Sequence, residues 1–119
     1  MSPGISPAAK KAEEQFRSVV RLAGIERGEK SHQYIYKGVM YRVHAYADDA
    51  LCAEYGGKVR IMRLLRISAL IMQLSKKHPN FFDPVESAFE ELIVHFPLLT
   101  SYYEAARLNG CFGTWIRWD

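Results

Sequence analysis

Residues 33–46 read QYIYKGVMYRVHAY, and this stretch decides the fold class. Tyr34, Tyr36, Val39, Tyr41, Val43 and Ala45 mark one face, with Ile35, Met40, Arg42, His44 and Tyr46 on the other. Aromatic and β-branched residues at period two suit a pleated, half-buried surface. Lys37-Gly38 stands where a two-residue turn belongs, so the spacing predicts a β-hairpin over 33–46. Apolar groups on both faces predict protein on one side and something partly apolar on the other.

Outside the hairpin the patterning is helical. Ser6-Pro7 is a helix start, Ala12, Phe16, Val19, Val20 and Ala23 recur at helical spacing, and Gly24 ends the run. Glu26 to Lys30 then reads as a charged connector. After the hairpin, Asp48-Asp49 can cap a short helix that stops at Gly56-Gly57. Lys58 to Lys77 is the longest predicted helix and is apolar almost all round its second half. Such a helix is buried on every side or sits in an interface.

Asp83-Pro84-Val85-Glu86 combines a cap, a proline and a following glutamate at the start of the next helix, which Pro97 breaks. Ser101 to Glu104 resembles a capping box, and Asn109-Gly110 is expected to end that last helix. The tail from Cys111 to Trp118 is expected to be a strand, a third one beside the hairpin. The expected fold is α+β: a helix-rich single domain of four or five helices with a small antiparallel hairpin or sheet. Residues 1–6 are expected to be loose and 7–119 globular. At 119 residues, roughly two-thirds of the chain's surface is expected to be buried, enough for one core.

Composition narrows the function classes. Two cysteines, Cys52 and Cys111, are too few for a disulfide scaffold or an all-cysteine zinc site. Lys10 and Lys11 are followed by no apolar segment of the kind a signal peptide needs, and the apolar run Ile67 to Met72 is far too short to span a bilayer. A soluble cytoplasmic setting with no membrane partner is expected. The net charge of +3 hides an asymmetry: residues 1–78 carry 14 Lys/Arg against 7 Asp/Glu, and residues 79–119 carry 2 against 6. Opposite charge at the two ends, with the apolar 58–77 helix, predicts self-association as a homodimer.

No catalytic set, metal site or cofactor motif emerges. His32, His44, His78 and His95 lack metal-ligand spacing, and His44 beside Asp48-Asp49 is more simply read next to a helix cap. Gly56-Gly57-Lys58 leads into a helix but lacks the rest of a phosphate-binding loop. Two binding readings remain. The first is a small non-catalytic protein-binding protein, an adaptor or inhibitor of a larger protein, of the kind phages and mobile elements carry. Its contact residues would be Tyr34, Tyr36, Tyr41 and Arg42, because Tyr and Arg concentrate at interface centres. The second is a nucleic-acid-binding regulator. Lys58, Arg60, Arg63 and Arg66 would meet phosphates along one helix, and the hairpin tyrosines would stack on bases. Against it, the arginines have potential partners in Glu86, Glu90, Glu91 or another acidic side chain.

Overall fold

The computed structural model describes residues 5–116, with side chains as far as Leu108. Its elements run α1 (Pro7–Leu22), β1 (Glu26–Arg27), β2 (Gln33–Tyr36), β3 (Val39–Arg42), α2 (Asp49–Glu54), α3 (Lys58–Lys77), α4 (Asp83–His95), a 3₁₀ turn (Pro97–Leu99) and α5 (Thr100–Ile116). This is the helix-rich α+β architecture the patterning predicts, with one antiparallel sheet in the order β1-β2-β3.

The hairpin forms on the expected residues. Tyr34 pairs with Tyr41 and Tyr36 with Val39 across the ladder. Lys37 (φ 51°) and Gly38 (φ 78°) make the turn, both in the left-handed region that a primed two-residue turn requires. The Val43 amide extends the ladder by donating to the His32 carbonyl at 2.8 Å. The third strand is not the C-terminal tail but β1, inside the predicted connector, with Arg27 opposite Tyr34. Gly28 permits that turn-back: a Cβ there would lie 2.7 Å from the Gln33 Cβ.

Three helix boundaries differ from expectation. Asp83 is the first residue of α4 rather than a side-chain cap, and the helix starts without a side-chain cap bond. Ser101 likewise falls inside α5, because a 3₁₀ turn carries the chain from Pro97 directly into that helix. Asn109-Gly110 does not end α5, which continues to Ile116. A glycine inside a helix costs only about 1 kcal/mol, too little to stop one by itself. The tail residues 117–119 and the N-terminal residues 1–4 lie outside the described residues. Ile5 packs against the core, and Ser6 Oγ caps α1 by accepting from the Ala9 amide at 3.1 Å.

Helix α3 is central, settling the ambiguity of its apolar girdle. Ile61, Leu64, Leu65, Ile67, Leu70, Ile71 and Leu74 are all buried, covered by α5 and the other elements. Helix α1 lies on α4, where Phe16 meets Phe89 at 5.1 Å between ring centroids. Phe82 and Tyr103 complete that aromatic group, with Tyr103 Oη donating to a Glu90 carboxylate oxygen at 2.7 Å. The buried side chains form one continuous cluster that includes the hairpin's Tyr34, Tyr36 and Val43.

Candidate functional site

Helical spacing puts Arg17, Val20 and Arg21 on one side of the last turns of α1. The chain then turns through Ile25 into β1, which brings Glu26 and Arg27 alongside. Helix α3 contributes Arg63 and Ile67 from across the gap. Together with Tyr34 these residues line a hollow of about 380 Å³. An adjoining hollow of about 260 Å³ shares Arg27, Tyr34 and Arg63 and adds Ser31, Lys58, Val59, Met62 and Arg66. The two make a groove between α1, β1 and α3 with Tyr34 at their common wall.

The groove is strongly cationic. Arg17, Arg21, Arg27, Lys58, Arg63 and Arg66 line it, and Glu26 is the only carboxylate among the lining residues. Burial pushes the Arg63 guanidinium below its ordinary value, and repulsion from Arg17 and Arg27 adds to the effect against the opposing pull of Glu13 and Tyr34. Arginine stays charged at any physiological pH, so the shift registers a charge held out of water among like charges and not loss of a proton. Burial likewise raises the Tyr34 hydroxyl, while Arg66, Arg27 and Arg63 act to lower it. Arg66 also holds its Nε buried with no hydrogen-bond partner. An anion entering the groove would relieve the crowding and supply acceptors.

Of the four predicted anion-binding residues, Lys58, Arg63 and Arg66 line the groove and Arg60 does not. Arg60 turns to α1, where its Nε donates to Glu13 Oε1 at 2.8 Å; that glutamate side chain is only 5% exposed. Glu13 also lies 3.6 Å from Arg17. Neither Glu86 nor Glu91 pairs with an α3 arginine: Glu91 is 3.6 Å from His95, and Glu90 takes the Tyr103 hydrogen bond. Arg17, Arg21 and Arg27 escaped sequence reading because only tertiary packing brings α1 and β1 against α3. The one local hint is the four-residue spacing of Arg17 and Arg21.

The four predicted protein-contact residues separate differently. Tyr34 is 3% exposed and Tyr36 is 7% exposed, so both belong to the core, Tyr36 packing edge-on against His78 and Phe81. Tyr41 is half-buried beneath the Lys77 ammonium, and Arg42 is exposed on β3. Val39 and Met40 stand out from the same edge strand, and Tyr46 is exposed just beyond it.

The remaining candidates resolve into structure. Asp48 caps α2, its Oδ1 accepting from the Leu51 amide at 2.8 Å. His44 stacks on His32 with centroids 4.7 Å apart. Partial burial lowers the His32 pKa, helped by the positive fields of His44, Arg42, Arg66 and Lys30. Cys52 is a free buried thiol, and the side chain of Cys111 lies outside the described residues. No group of three metal-ligating side chains occurs among the described residues. Nor, among them, is any helix long and apolar enough to cross a membrane. No protein-family model, curated protein or solved structure matches the chain.

Proposed function

We propose that this protein is a small, non-catalytic nucleic-acid-binding protein of the cytoplasm, a regulator or accessory factor that grips phosphates in the groove between α1, β1 and α3. The observation that carries the reading is the charge census of that groove: Arg17, Arg21, Arg27, Lys58, Arg63 and Arg66 against Glu26 alone. Folding has gathered these cations from three elements; Glu13, outside the groove lining, lies 3.6 Å from Arg17, and at Arg63 repulsion from Arg17 and Arg27 adds to the cost of burial. A polyanion offsets that cost and releases its own counterions as it binds.

Affinity should therefore fall steeply as salt rises. Replacing Arg27, Arg63 and Arg66 together by glutamine keeps most of each stem and removes three charges. That variant is expected to bind every sequence more weakly and to flatten the log–log salt slope by roughly two for a single strand. Fluorescence anisotropy across a salt series measures both quantities. Failure to bind any DNA or RNA at low salt would overturn the proposal.

A second reading has its own observation. The outer edge of β3 is unpaired within the sheet order and presents Val39 and Met40 at about half exposure, 51% and 47%, with Arg42 beside them. A protein partner would add a strand or an apolar face there, as an adaptor or inhibitor contact does. Tyr34 and Tyr36 take no part in this version, since the core already holds them.

A further inference from the structure

We infer that the larger hollow of the groove receives one unpaired base of a single-stranded nucleic acid, with the flanking phosphates on the arginines around it. The inference rests on the nucleic-acid reading and sharpens it to a strand type. A surface built only for phosphates has no need of an apolar concavity. This hollow has one: Val20, Ile25 and Ile67 contribute apolar wall to a volume of about 380 Å³, while Arg17, Arg27 and Arg63 surround it with charge. In a duplex the bases are stacked inside the helix, so docking of the duplex backbone would leave such a hollow unfilled. An unpaired base offers a flat, largely apolar face to fill it, and its sugar–phosphate links stay outside among the cations.

Two polar groups in the hollow suit the edge of a base better than they suit a phosphate. Glu26 repels a phosphate but accepts from a ring N–H or an exocyclic amine. Tyr34 is almost wholly buried and lines both hollows; its main chain belongs to the ladder, but its hydroxyl has no hydrogen-bond partner among the described residues and is left to pair with an entering group. On this assignment Tyr34 is a hydrogen-bonding wall and not a stacking platform, since the residue is 3% exposed and part of the core cluster.

The test compares three fluorescent probes of one length at low salt: a mixed-sequence single strand, a single strand of abasic residues, and a duplex. The base-bearing single strand is expected to bind roughly tenfold more tightly than either of the others. Equal affinity for the base-bearing and abasic strands, or tighter binding of the duplex, overturns the inference and leaves phosphate binding standing. Absence of binding to all three overturns both readings. So does an oligoglutamate peptide that binds as tightly as the single strand, because the groove then takes any polyanion. Tyr34→Phe keeps the ring and removes the hydroxyl. It is expected to weaken the base-bearing strand by roughly threefold and the abasic strand not at all. An equal effect on both strands, none included, overturns the placement of the base against Tyr34.

Discussion

Arg60 and Arg63 are one short helical step apart and carry the same charge, yet they do opposite things. Three residues advance a helix by about 300°, so the two guanidinium groups diverge by some 60° around α3. That divergence sends Arg60 to the buried carboxylate of Glu13 and leaves Arg63 to the groove. Removing Arg60 takes the closer of two cationic partners from a glutamate that is 5% exposed, leaving it only the longer 3.6 Å contact with Arg17. Arg60→Ala is therefore expected to cost about 2–3 kcal/mol of folding stability, less than the roughly 3–5 kcal/mol of a fully buried broken pair because Arg60 itself keeps some water contact and Arg17 stays near Glu13. The same change in a Glu13→Gln background should cost clearly less, and urea denaturation of the four proteins measures the difference. An Arg60→Ala loss below about 0.5 kcal/mol would mean the pair contributes nothing. Sequence spacing identifies the arginine row, but a row does not disclose partners. Glu13 is on another helix, and α1's own pattern gives no sign that one of its glutamates is buried.

At the scale of elements, what was legible is what local chemistry alone dictates. The hairpin follows from alternation and a turn pair, α1 from a serine cap with a proline after it, and α3 from twenty residues without a breaker. What was not legible depends on neighbours. Strand β1 is two charged residues whose pairing is supplied by the main chain of β2, and side-chain periodicity carries no trace of it. The route through Asn109-Gly110 shows the converse, a stop signal overridden by a helix already propagating. The hairpin's orientation was open too, since both of its faces are apolar. The structure docks the Tyr34, Tyr36 and Val43 face and leaves Met40 outward. Tyr36→Ala is accordingly expected to destabilise the domain by about 3–5 kcal/mol, as loss of a buried aromatic does. Met40→Lys should stay within about 0.5 kcal/mol of the parent. Thermal melting of both variants checks the assignment. Should a protein partner exist at β3, only Met40→Lys would cut its affinity while the melting temperature held.

Across the whole molecule, the homodimer expectation drew on two features, and the fold treats them differently. The apolar surplus of α3 is consumed inside the chain, where seven of its aliphatic side chains, Ile61, Leu64, Leu65, Ile67, Leu70, Ile71 and Leu74, are buried. That removes the hydrophobic argument for a partner copy. The charge argument survives, because cations collect in the groove while Glu86, Glu90 and Glu91 are carried on α4. Contact between one molecule's groove and another's α4 would join two different patches, closing into a two-fold dimer only where both such contacts form at once and otherwise running head-to-tail. It would also be weak, since exposed charges interact little beyond a screening length of about 8 Å at physiological salt. Sedimentation velocity is therefore expected to show a monomer at physiological ionic strength. Any association at low salt should dissolve as salt is added and should be absent from the Arg27, Arg63, Arg66→Gln variant. A dimer that persists in high salt would instead require an apolar interface, and among the described residues Val39, Met40 and Tyr46, exposed together at one end of the sheet, offer a cluster for it.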